Sequence, residues 1–80
     1  MSKNNEKLKS ILSTILNVSV ELITDEISPK NTSSWDSFNG LVLVSELEEA
    51  FDVHFTMEEA YSVTCVKDIR EALKRHNVEF

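Results

Sequence analysis

One cysteine, one glycine and one proline are all that this 80-residue chain contains of the three residues that most often staple or break a small fold. A lone Cys65 forms no internal disulfide, and with only His54 and His76 beside it the spacing suits no zinc site. A single glycine leaves no Gly-rich loop to cradle a phosphate, and the spaced oxygen ligands of a calcium loop are missing too. So little Gly and Pro favours helices over a turn-rich β fold. No apolar run is long enough to span a bilayer, and no basic start leads into an apolar stretch as in a signal peptide, so a cytoplasmic protein without membrane insertion is expected.

Basic residues are missing from the middle of the chain. Between Lys30 and Lys67 there is no Lys or Arg, whereas Asp36, Glu46, Glu48, Glu49, Asp52, Glu58 and Glu59 all lie there. The net charge is −6. Nucleic acid and anionic lipid are poor partners for such a surface. A basic protein surface suits it, because complementary potential speeds and orients encounter. An acidic face that is merely solvated fits the charge pattern equally well.

What is present is helical periodicity. Hydrophobic residues make up 41% of the chain, a globular composition, and 80 residues form one domain, 1–80. At that length a fold buries only about 60–65% of the surface its unfolded chain exposes, so the core is thin. Leu8, Ile11, Leu12, Ile15 and Leu16 mark one stripe of a helix over about 4–17, with Lys3, Lys7 and Lys9 off it and Asn17 as its stop. Residues 18–36 hold no sustained period and many turn formers; Val20, Leu22, Ile23, Ile27 and Trp35 are the candidates for pinning this long loop to the core.

A second helix runs over about 37–51. At about 100° per residue, Leu43, Val44, Leu47, Ala50 and Phe51 share its core face. Ser45, Glu46, Glu48, Glu49 and Asp52 fall on the other side, and so do Phe38, Leu41 and Val42, a small apolar patch framed by acids. Gly40 points inward, as close approach of another backbone would require. A short helix over about 56–61 opens on Thr56-Met57-Glu58-Glu59, the pattern of a capping box. A last helix covers about 65–76, capped by Thr64, with Val66, Ile69 and Leu73 as its stripe and Lys74, Arg75 and His76 at its negative end. The expected fold is therefore all-α: three main helices, one short one and a long first loop.

No catalytic constellation emerges. A nucleophilic serine needs a base within hydrogen-bond reach, and the base needs an orienting group. His54 lies beyond the far end of the second helix, nothing places His76 beside Ser37, and Glu48 and Glu49 read as a solvated pair. Ser37 itself remains. As an N-cap it would contribute about 1 kcal/mol. Its setting suggests more: an exposed helix N-terminus, favourable to a phosphate on the serine oxygen, beside an apolar patch and an acidic stripe.

The residues Asp36-Ser37-Phe38, followed by "LVLVSELEEAFDVHF", resemble the Asp-Ser-Leu region of acyl carrier proteins. "ILNVSVELIT" resembles the end of their first helix, and "TMEEAYSVTCVKDI" their third helix and the start of the fourth, so the likeness extends over most of the chain. It implies a carrier and not an enzyme. A phosphopantetheinyl transferase would attach 4′-phosphopantetheine from coenzyme A to Ser37, with Asp36 helping that enzyme recognise the site. The thiol of the arm would then hold an acyl or aminoacyl group as a thioester. By the same resemblance Phe38, Leu41 and Val42 are docking contacts beside the arm, and Glu46, Glu48 and Glu49 pair with Arg and Lys on partner enzymes. Those partners are an acyl-loading ligase or synthase and downstream acyltransferases, with the carrier a monomer.

The chain also departs from the family pattern. Housekeeping fatty-acid carriers usually read Gly-Ala-Asp-Ser-Leu, where this chain reads Ser34-Trp35-Asp36-Ser37-Phe38. Val42 stands in place of an acidic docking residue, and Ser45 in place of a larger apolar one. The Trp-Asp-Ser form looks more like stand-alone carriers of specialised biosynthetic pathways. A D-alanyl-type aminoacyl carrier and an unmodified helical protein–protein interaction module are the alternatives.

Overall fold

The computed structural model describes residues 3–80. Among these residues regular structure is entirely helical: α1 (Lys3–Leu16), a 3-10 turn (Val20–Leu22), α2 (Ser37–Phe51), α3 (Met57–Ser62) and α4 (Val66–Arg75). Each α-helix lies within a residue of its expected bounds, because each rests on an apolar stripe or a local cap. Leu8, Leu12 and Leu16 from α1 are buried against Leu43 and Leu47 of α2 and Val66, Ile69 and Leu73 of α4. Truncating one of these leucines to alanine would cost about 2–5 kcal/mol.

The shortage of glycine has a visible solution. α1, α2 and α4 are each followed by a non-glycine residue in the left-handed region: Asn17 at φ 55°, Asp52 at φ 54° and Asn77 at φ 69°. Short polar side chains tolerate that conformation better than other L-residues. At the end of α4 the amides of Asn77 and Val78 donate to the carbonyls of Lys74 and Leu73, each at 3.0 Å, which closes the helix as a glycine would.

The long loop is a run of turns. The Asn31 side chain accepts from the Ser28 N–H and donates to the Glu26 carbonyl, both at 2.9 Å. Ile23 and Trp35 are buried and Ile27 packs on the core, as expected for the pins. Val20 and Leu22 are not pins: they are 46% and 62% exposed, because the 3-10 turn carries them outward.

The start of α4 also differs from expectation. Cys65, not Thr64, occupies the N-cap, and its side chain makes no capping bond. Loop carbonyls supply the partners instead: Val66 N–H donates to Ile27 O at 2.9 Å and Lys67 N–H to Asp25 O at 3.2 Å. Thr64 donates from its main-chain N–H, at 3.0 Å, and from its hydroxyl to the Asp68 carboxylate. Those bonds hold the Asp68 carboxyl below its ordinary 3.8. Arg70 adds an ion pair to Asp25 at 3.1 Å.

Candidate functional site

The loop and α2 meet at Asp36. Its extended backbone (φ −102°, ψ −174°) makes it the N-cap, and its carboxylate accepts the Asn39 N–H at 2.9 Å. A carboxylate is among the best caps, and its charge suits the positive helix end. Ser37 is therefore the first residue inside the helix and not the cap expected from sequence. Its side chain is exposed, and no hydrogen bond engages its hydroxyl among the described residues. The one-residue shift leaves the hydroxyl free.

Two further contacts fix this turn. The Asn39 side-chain amide donates to Ser34 O at 2.6 Å, and the Ser34 hydroxyl donates to Leu16 O, also at 2.6 Å. Gly40 faces a side chain and not the neighbouring backbone that was expected. A methyl group placed there would sit 3.6 Å from the Trp35 indole nitrogen, an ordinary contact.

Beside Ser37, Phe38 and Leu41 are 72% and 71% exposed, so Phe38 is not part of the core. Val42 is half-buried. Asp36, Ser37, Gly40 and Leu41 also line a cavity of about 760 Å³ that extends over Leu43 and Leu47 to α3 and α4. Its far wall includes Met57, Ala60 and Tyr61 of α3. Met57 and Tyr61 stand 72% and 80% exposed and escaped the sequence reading. Their spacing of four on a short helix, off the capping residues, was the available signal.

The acids divide. Glu46 and Glu49 are exposed. Glu48 is not the solvated group expected, because the left-handed Asp52 turns the chain back along α2. The Phe55 N–H then donates to Glu48 Oε2 at 2.8 Å, and His54 Nδ1 lies 3.8 Å from the same oxygen.

α3 begins as the sequence indicates. Thr56 accepts the Glu59 N–H at 3.1 Å, and Glu59 accepts the Thr56 N–H at 2.9 Å. His76 Nε2 lies 3.0 Å from both Glu59 oxygens, and Arg75 Nε lies 3.8 Å from one of them. The Thr56 amide first, and His76 second, hold the Glu59 carboxyl below its ordinary 4.5. The Phe55 ring meets the His76 ring edge-on, with centroids 5.4 Å apart. This cluster fastens α3 to the end of α4. Among the described residues no group of three or more His, Cys, Asp or Glu converges where a metal ion could sit, and no helix is long and apolar enough to cross a membrane.

The site thus brings together an unbonded serine at a helix start, an apolar cleft and flanking acids. Residues 6–73 match the family described as phosphopantetheine attachment site. The chain is 39% identical over 70 residues to an acyl carrier protein of Syntrophobacter fumaroxidans, a match covering 88% of this chain and 86% of that one. It is 31% identical over 77 residues to an acyl carrier protein of Buchnera aphidicola, covering 96% and 98%. A solved Mycobacterium tuberculosis structure, assigned as an acyl carrier protein, superposes with a TM-score of 0.80 at 22% identity, covering 89% of this chain and 95% of that one, which speaks for the fold. The chain belongs to the acyl carrier protein family. It is a carrier with no catalytic activity of its own, its cofactor is covalently attached 4′-phosphopantetheine, and it works by interacting with partner enzymes. The site residues fit that cofactor: a free, exposed hydroxyl can form the phosphodiester, and the helix start favours the phosphate.

Proposed function

We propose that Ser37 is the attachment point and that residues 1–80 act as one discrete, monomeric, cytoplasmic carrier domain. The observation that carries this reading is the Ser37 hydroxyl, exposed and unbonded because Asp36 does the capping. In loading, the Ser37 oxygen forms a bond to phosphorus, the pyrophosphate bond of coenzyme A breaks, and 3′,5′-adenosine bisphosphate leaves. The hydroxyl proton passes to the transferase or to solvent. Asp36 keeps one carboxylate oxygen committed to Asn39 and offers its other face for recognition. Phe38, Leu41 and Val42 make the apolar part of the docking surface, and Glu46 and Glu49 meet basic residues of the transferase, ligase and acyltransferases. Glu48 contributes less to docking than its neighbours, because it is engaged at home.

The cargo is an acyl group of a specialised biosynthetic pathway. Phe38, Val42 and Ser45 support a partner set distinct from that of housekeeping fatty-acid carriers. The apolar lining of the cleft, with Leu43, Leu47 and Ile69, supports an acyl cargo over an aminoacyl one, since a charged ammonium gains nothing there. The test is an intact mass after incubation with coenzyme A, magnesium and a broad-specificity transferase. A gain of about 340 Da, the mass of one phosphopantetheine, is expected on Ser37. No gain with several transferases would leave the unmodified interaction module as the better reading.

A further inference from the structure

A free hydroxyl is useful to a transferase only if it is held in one place. Ser37 follows an irregular turn, and little of that turn is self-supporting: within residues 33–36 the Trp35 N–H reaches Thr32 O at 3.0 Å. Burial of Trp35 anchors the turn to the core, and the Gly40 N–H to Asp36 O bond at 2.8 Å belongs to the ordinary ladder of α2. Two further bonds come from Asn39, the third residue of α2. Its main-chain N–H donates to Asp36 Oδ1 at 2.9 Å, and its side-chain amide donates to Ser34 O at 2.6 Å. The amide nitrogen must face Ser34, since the alternative would set two oxygens against each other. Ser34 in turn donates its hydroxyl to Leu16 O, one of the last α1 carbonyls, which lack helical partners. A continuous hydrogen-bonded line thus runs from the end of α1 through Ser34 and Asn39 to Asp36, the residue before Ser37.

The start of α3 shows what the third residue of a helix ordinarily does. There Glu59 reaches back to the cap residue's own N–H. Asn39 reaches two residues further upstream, to Ser34, and so grips the turn as well as the helix. Resting on the reading of Ser37 as the attachment point, we propose that Asn39 is a positioning residue for phosphopantetheine transfer: its amide clamps the Ser34–Asp36 turn to α2 and fixes the Ser37 hydroxyl relative to the bundle. Asn39 touches neither coenzyme A nor the reacting atoms in this account. It acts through Asp36 and Ser34.

The test is steady-state transferase kinetics on the full chain with coenzyme A and magnesium. Asn39→Leu keeps the side-chain size and removes the donor. It should lower kcat about tenfold, the scale of a small misplacement of a reacting group, with KM within about twofold. KM holds because the apolar and acidic residues further along α2 are untouched. Ser13→Ala is the control: it removes a side-chain bond to Val18 O at the end of α1, a comparable structural loss away from Ser37, and should leave kcat and KM at wild-type values. Ser34→Ala, which cuts the next bond in the line, should show the Asn39→Leu signature at smaller amplitude, and it decides the matter if Asn39→Leu does not fold. A loss confined to KM would make Asn39 a contact of the transferase and overturn the proposal, as would kcat equal to that of Ser13→Ala. Failure of the underlying reading looks different: Ser37→Ala would still gain mass, or peptide mapping would place the group elsewhere.

Discussion

Ser37 and Thr56 stand at the starts of neighbouring helices, both hydroxyl residues, both exposed, and they do opposite things. Thr56 is the N-cap of α3 and its oxygen is consumed by the Glu59 amide. Ser37 is one position further in, behind an aspartate that has already taken the capping bond. A hydroxyl at the cap holds a helix together, whereas a hydroxyl one residue later is available for chemistry. The difference arises from the residue in front: an aspartate precedes Ser37, and Phe55, which cannot cap, precedes Thr56.

Removing each hydroxyl in turn should separate the two roles most widely. Ser37→Ala should abolish modification, read as an intact mass, while changing the unfolding free energy by less than about 0.5 kcal/mol, the ordinary range for an exposed site. A loss of a full kilocalorie would return Ser37 to the role of cap. Thr56→Ala should behave in reverse, losing about 1 kcal/mol with modification intact, and Asp36→Ala should lose about as much stability. Urea titrations of the three variants side by side decide the assignment.

A smaller effect separates the acids. Glu48→Gln should cost about 0.5–1.5 kcal/mol, because the Phe55 amide loses a charged acceptor, whereas Glu49→Gln should leave stability unchanged. Reversing Glu46 and Glu49 to lysine should instead slow association with a cognate enzyme, and the loss should shrink at high salt. An on-rate insensitive to both would rule out electrostatic docking.

Acid acts on the capped starts of α3 and α4 together. The Glu59 and Asp68 carboxyls are held below their ordinary 4.5 and 3.8, so the unfolded chain binds their protons first as pH falls. The stability they contribute is complete above those ordinary values and is lost as pH drops through the lowered ones. Thermal melting between pH 6 and pH 3 should show it, with a shallower decline in Glu59→Gln; identical profiles would remove Glu59 from the account. The least effect belongs to Gly40→Ala. With no positive φ and room beside Trp35, it should gain about 0.5 kcal/mol from reduced freedom of the unfolded chain. A clear loss in the same urea titration would mean the indole cannot accept a neighbour.

What the sequence reveals of this molecule is what can be decided within a few residues. The α1 stripe, the Asn17 stop and the Thr56–Glu59 box are local patterns, and each stands where periodicity and composition put it. The candidate site is legible as a stretch, from its Asp-Ser pair and acidic helix. The helix frame is not, since Asp36 and Ser37 are both good caps and only the backbone turn chooses between them. Glu48 looks solvated until Asp52 reverses the chain beneath it. Gly40 reads as a backbone approach because nothing in the string of letters brings Trp35 against it.

The cap of α4 has a consequence for how such a chain can vary. Val66 and Lys67 take their partners from the main-chain carbonyls of Ile27 and Asp25, and a carbonyl is present whatever the side chain. Mutation can therefore rewrite the letters at 25 and 27, within the limits set by the Arg70 pair and the core, without erasing the helix start. Insertion or deletion ahead of them cannot be absorbed so freely, because it moves the carbonyls themselves. The loop and α4, two segments far apart in the chain, thus share one helix beginning.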